Sequence, residues 1–146
     1  MSRMRIDPLT FAVALSTMWA AHDIADHVVQ TDHQAGSKAD PHPAVWLPAM
    51  AGHVGGYQLT QAVALGVTIR GTGLKPSWTA LIVGSFISAA SHAFLDRRWP
   101  VRKVLQLTRS PRFAEMTTPI CGPYQADQAL HHGFLWLAAL AMAVQR

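Results

Sequence analysis

Residues 75–96 read KPSWTALIVGSFISAASHAFLD, and no charged side chain lies between Lys75 and Asp96. A bilayer crossing takes roughly 20 predominantly apolar residues, and this stretch meets that length with only neutral polar groups inside it. The pattern recurs along the chain. No charge falls between Asp7 and Asp23, between Asp40 and Arg70, or between Asp127 and Arg146. Four apolar segments result, at 9–29, 47–69, 77–98 and 123–145, each with polar residues gathered near one end. A soluble bundle of unusually apolar helices is the alternative, but it needs charged outer faces, and 47–69 and 77–95 have none. The expected fold is all-α: a polytopic four-transmembrane-helix bundle forming one integral membrane domain over 1–146. Its halves, 9–70 and 77–146, resemble duplicated two-helix hairpins.

Composition agrees. The chain has 146 residues, room for one domain, and only 14% of them are charged, against about 25% in a soluble domain. With 50% hydrophobic residues and a net charge of +4, intrinsic disorder is excluded. Cys121 is the single cysteine, so no disulfide framework can form. Arg3 and Arg5 precede the first apolar run as in a signal peptide. The run continues into His22–Asp26 with no small-residue cleavage site, so it is expected to remain as a helix.

Helix punctuation falls between the segments. Pro8 suits a first turn, Asp40-Pro-His-Pro43 breaks the chain before the second helix, and Gly71, Gly73 and Pro76 mark a tight connection with Ser77 as a cap. Trp99-Pro100 closes the third helix. Val101–Arg109 reads as a short amphipathic helix, either packed on the bundle or lying on lipid with Arg102, Lys103 and Arg109 near headgroups. Pro111, Pro119 and Pro123 are expected to keep the remaining linker non-helical. Ala49, Ala51, Gly52, Gly55 and Gly56 suit close helix packing, and Trp46, Tyr57, Trp78 and Trp99 suit interface anchors.

Polar residues concentrate at one end of the bundle. His22, Asp26 and Gln30 recur at four-residue spacing and share a helix face; His92 and Asp96 repeat the pattern, and Asp127 and His131 reverse it. His53 stands near the start of the second helix. Helices 1 and 3 carry these groups at their C-terminal ends, helices 2 and 4 at their N-terminal ends. An up-down-up-down bundle brings all four ends to one side.

Buried carboxylates near one another are costly without a counter-charge. A divalent metal, zinc, manganese or iron, suits imidazole and carboxylate donors. The candidate ligands are His22, Asp26, His53, His92, Asp96, Asp127 and His131. That set exceeds one tetrahedral site and suits two ions, which would leave a formal excess of positive charge to attract phosphate. Asp23, His27, His33 and His132 lie on other faces, Gln30 and Asp32 can extend the site, and Ser85, Ser88 and Ser91 are expected to bond to backbone or neighbouring helices.

The blocks His22-Asp-Ile-Ala-Asp26-His-Val-Val-Gln30-Thr-Asp32, Ser91-His92-Ala-Phe-Leu-Asp96-Arg97-Arg98 and Asp127-Gln128-Ala-Leu-His131 resemble the signature of a bacterial and phage family of small membrane proteins catalogued as domain of unknown function 3307. The resemblance covers roughly residues 15–140, with His27-Val28-Val29 departing from a bulkier apolar run. It implies a fold, the ligands above, a lysine matched by Lys38 and a helix histidine matched by His53, but no activity. A more distant similarity is to membrane-bound metal-dependent hydrolases.

The function expected is hydrolysis of a phosphoester at the membrane interface, with Asp26, Asp96 and Asp127 in the catalytic centre and Arg97, Arg98 or Arg102 neutralising phosphate. No separate general base is evident, so water activation falls to the metal. The alternatives are a non-catalytic metal-binding membrane protein, structural or sensing, and a metal or proton carrier using Gln58, Thr60 and Gln61. Nucleic acid ranks last among partners, because the basic 97–112 stretch offers phosphate contacts and no base readout. Membrane lipid and a second copy of the chain are expected partners. The site-side loops carry Lys38, Arg97, Arg98, Arg102, Lys103, Arg109 and Arg112 against Arg3, Arg5, Arg70, Lys75 and Arg146 opposite. This charge bias favours the inner (cytoplasmic) membrane with the site facing the cytoplasm.

Overall fold

The computed structural model describes residues 5–145. Helices α1 (Pro8–Ile24), α2 (Asp32–Ser37), α3 (Pro43–Thr72), α4 (Trp78–Leu95), α5 (Trp99–Leu107), α6 (Pro111–Glu115) and α7 (Gly122–Met142) make the fold all-α. Two short strands, β1 (Arg5–Ile6) and β2 (Val144–Gln145), pair antiparallel and join the start of α1 to the end of α7. Arg3 and Arg146, which entered the charge comparison, lie outside the described residues.

Local chemistry explains the element ends. Asp7 caps α1: its carboxylate accepts from the Thr10 backbone N–H at 2.8 Å and from the Thr10 hydroxyl. Those two bonds hold its carboxyl below the usual carboxylate range. Ser77 Oγ accepts from Ala80 N at 3.1 Å to cap α4. Gly73, with φ of 70°, ends α3 in the left-handed conformation that glycine adopts without a Cβ clash.

Several boundaries differ from the sequence expectation, for physical reasons. Proline lacks only an N–H that a first helical turn leaves unpaired. Pro43 therefore starts α3 four residues ahead of 47, and Pro111 opens the short α6 instead of blocking helix. Pro123 likewise sits in the first turn of α7, and Pro100 in that of α5. Helix α2 falls in a region expected to be irregular; a reciprocal capping box between Thr31 and Gln34 holds it.

The four long helices form the bundle. Helix α1 lies between α3 and α7, α4 packs chiefly on α7, and α3 touches α4 more lightly. One core cluster contains Ala14, Met18, Leu65, Leu135, Ala138, Ala139 and Met142. Gly84 lets α4 approach α7 closely: a Cβ there would press on Met142 Cγ and stand 2.7 Å from the Ala138 carbonyl oxygen. The glycines near the start of α3 serve other contacts. Gly52 faces the Gln34 side chain of α2, Gly56 faces Val29, and Gly55 has open space.

The outside of the bundle is apolar. Leu59, Val63 and Val67 on α3 and Trp78, Ile82 and Phe86 on α4 are between 58% and 80% exposed. They recur at four-residue spacing, so each trio forms a stripe along its helix. Among the described residues, one helix, Trp78–Leu95, is long and apolar enough to cross a membrane by that measure alone, with mean hydropathy 1.4 over 18 residues.

Candidate metal centre

The polar ends of the long helices meet, as the alternating topology requires. Helix α1 carries His22 and runs into a π-helical turn, Ala25–Val29, in which Gln30 N donates to Ala25 O at 2.9 Å. Such single wide turns re-aim side chains and concentrate at functional sites; this one carries Asp26. Helix α3 supplies His53, α4 supplies His92 with Asp96 at its C-cap, and α7 supplies Asp127 and His131. The four histidines and Asp96 are buried.

At the centre, His53 Nε2 and His92 Nε2 face each other at 2.8 Å. Asp26 Oδ1 lies 3.4 Å from the first and 3.2 Å from the second. Asp96 Oδ2 lies 3.0 Å and 3.4 Å from the same two atoms. Both carboxylate oxygens are buried, and neither has a hydrogen-bond partner beyond these imidazole nitrogens. Asp96 has the Lys38 ammonium at its other oxygen, but Asp26 is paired only with histidines among the described residues, and a carboxylate buried so is costly by several kcal/mol. Tetrahedral zinc with ligands at about 2.0–2.1 Å spaces them roughly 3.3 Å apart, so these donors stand at the separations that one small divalent ion imposes.

A second group adjoins the first. Donor atoms of His22, His92 and His131 lie within 4.8 Å of one another. His22 Nε2 meets the Gln128 amide oxygen at 3.2 Å, which gives that imidazole a neutral protein partner. Asp127 Oδ2 is 3.6 Å from His131 Nε2 and belongs to the rim rather than the centre. All seven predicted ligands are thus brought together, with Asp26, His53, His92 and Asp96 the tightest set.

Neighbouring residues orient these ligands. Gln30 Nε2 meets His53 Nδ1 at 2.9 Å, where the amide N–H donates to the ring; the same amide turned end for end would accept Nδ1–H and leave Nε2 free for an ion. Tyr57 stacks on the His92 ring with centroids 3.9 Å apart. Its hydroxyl meets Ser88 Oγ at 2.7 Å and accepts from Gln61 Nε2 at 3.2 Å. Tyr57 is therefore a buried support for the site and not an interface anchor. Its position four residues from His53 placed it on the same helix face. Ser91 bonds back to α4 carbonyls. Asp23 pairs with His132 at 3.4 Å on the outer side, and His27 reaches the Tyr124 hydroxyl at 2.6 Å.

Lys38, at the C-cap of α2, enters the centre from the side. Its Nζ is 2.7 Å from Asp96 Oδ1 and 3.4 Å from His53 Nε2. Residue spacing gave no hint of this; only the family resemblance pointed to the lysine.

The predicted arginines divide. Arg97 donates to the Lys38 and Asp40 carbonyls at 2.8 and 3.0 Å and lies over the Trp46 ring, so it fastens the α2–α3 connection. Its guanidinium is taken up there, away from the expected phosphate role. Arg98, in the left-handed region at φ 62°, donates to the Ala35 carbonyl at 3.0 Å, and with Arg102 it lines a cavity of about 480 Å³. Asp26, Lys38, Asp96 and Asp127 also reach this cavity, so the buried centre opens to it. Comparison of the chain with protein-family models, curated proteins and solved structures found no match.

Proposed function

We propose that this chain is a membrane-embedded metal-dependent hydrolase acting on a phosphoester at the membrane interface. The observation that carries the metal is the pair of buried carboxylate oxygens, Asp26 Oδ1 and Asp96 Oδ2, which have no hydrogen-bond partner beyond the two Nε2 atoms of His53 and His92. Zinc, manganese and iron suit these nitrogen and oxygen donors. A bound divalent ion supplies Lewis acidity toward phosphoryl oxygen and toward water. His22 and His131 offer donors for a second ion beside the first.

The cavity then assigns roles to the chain's own groups. Arg98 and Arg102 hold the phosphate at the rim, and Asp127, on the cavity wall with His131 behind it, is placed to take a proton from the attacking water. Water oxygen bonds to phosphorus, the ester P–O bond breaks, and the departing alkoxide takes the proton that Asp127 received from the water. A metal that only ties helices together would have no use for a cavity reaching Asp26 and Asp96. A carrier would need polar groups at full depth. Gln61 and Thr60 instead bond to the Met18 and Gly56 carbonyls, beside a core of Leu65, Leu135 and Met142.

Membrane embedding rests on the exposed stripes of α3 and α4, which exceed the scattered apolar residues of a soluble monomer. In this reading α1, α3, α4 and α7 all cross the bilayer, and the loop charge bias favours a site on the cytoplasmic side. The test is elemental analysis of the detergent-purified chain beside an Asp26→Asn/Asp96→Asn variant, with a phosphatase and phosphodiesterase screen on both. Stoichiometric metal, lost in the variant together with hydrolysis, is expected. Absence of metal after reconstitution with zinc, manganese and iron would sink the mechanism; metal without hydrolysis would leave a structural or sensing ion. Release of the protein from membranes by alkaline carbonate would overturn the integral placement.

A further inference from the structure

Resting on the metal reading above, we propose that the centre holds one divalent ion and that the Lys38 ammonium stands where a two-metal enzyme has its second cation, binding substrate phosphate from that position. Three observations lead here. Charge comes first: Asp26 and Asp96, the two carboxylates at the ion position, carry a formal −2, which one divalent ion cancels, and Lys38 adds a further positive charge beside them. Proximity comes second. Lys38 Nζ is 2.7 Å from Asp96 Oδ1, while Asp96 Oδ2 is one of the two buried oxygens at the ion position. One carboxylate therefore bridges the ion position and the ammonium, as a bridging carboxylate joins paired metals.

Access comes third. Lys38 is nearly buried yet lines the cavity together with Arg98 and Arg102. An ammonium has three N–H donors, and Asp96 Oδ1 engages one. His53 Nε2, at 3.4 Å, turns to the ion once one is bound. The remaining donors face a phosphate in the cavity.

The experiment is metal counting by mass spectrometry on the full chain in detergent, as wild type, Lys38→Gln and Lys38→Arg. Each metal-loaded form is also titrated with inorganic phosphate and, separately, with phosphatidate in the same micelles. The two titrations distinguish a free phosphate from a lipid-borne one. Wild type is expected to hold one ion. Lys38→Gln is expected to take up a second ion, or to bind phosphate about tenfold more weakly when loaded with one. Lys38→Arg keeps the positive charge and should keep the single ion; it is the control should Lys38→Gln fail to fold, and a second ion in it would overturn the proposal. Two ions in the wild type would overturn the proposal while leaving the metal reading intact. Unchanged stoichiometry and phosphate affinity in Lys38→Gln would overturn it as well. No ion in any form would instead bring down the metal reading.

Discussion

Changing Asp96 to asparagine isolates the electrostatics of the centre, because the side chain keeps its shape and loses its charge. In the metal-free protein the Lys38 ammonium would lose a carboxylate 2.7 Å away, in a place where the two side chains are only 11% and 2% exposed. Breaking a buried pair by removing one partner costs about 3–5 kcal/mol, since the other charge stays buried. In a chain of 146 residues each kcal/mol moves Tm by roughly 3 °C, so the expected drop is on the order of 10–15 °C. The assay is thermal unfolding of the metal-stripped chain in detergent, followed by far-ultraviolet circular dichroism. The double variant Lys38→Met/Asp96→Asn removes both charges and should recover most of the loss, as a coupled pair requires. Asp96→Asn melting within about 2 °C of wild type, or a double variant melting no higher than Asp96→Asn, would refute the reasoning.

Two further outcomes follow from backbone geometry. Gly84→Val should destabilise the bundle by about 3 kcal/mol or more, above ordinary overpacking, because the Ala138 carbonyl 2.7 Å from the new Cβ cannot swing aside as a side chain does; a melting curve matching wild type would disprove the close approach of α4 and α7. Arg98→Gly should melt close to wild type, since relief of a positive φ of 62°, worth about 1 kcal/mol, offsets loss of the bond to the Ala35 carbonyl, worth about as much, yet bind inorganic phosphate several-fold more weakly. Arg98→Ala should lose the phosphate affinity and melt below Arg98→Gly, and equal phosphate binding in all three would remove Arg98 from the site.

The helical periodicity and the charge blanks were legible in the residues because both are local properties. Four long helices, the cap Ser77 and the stop at Gly73 follow from nearest neighbours in the chain. The convergence of His22, Asp26, His53, His92, Asp96, Asp127 and His131 also follows, because alternating helix direction brings their ends to one side whatever the packing details. Proline misled at 43 and 111 because its residue type does not say whether it ends one helix or opens the next.

Other features depended on which surfaces meet. The sequence places Lys38 in a loop 58 residues before Asp96 (96−38), and nothing near it indicates a buried ion pair; α2 must dock on α3 before the ammonium reaches the carboxylate. Tyr57 and Arg97 are alike in this. An aromatic near a helix end suits an interface, and an arginine beside a ligand suits phosphate. Stacking on His92 and anchoring to the Lys38 and Asp40 carbonyls give them other work. By itself the sequence determined helix content, the polar end and the donor types, since these depend on spacing along a helix. Only the tertiary structure decided which donors share one ion position, which cation lies beside them and which arginines face the cavity, since these depend on contacts between helices far apart in the chain.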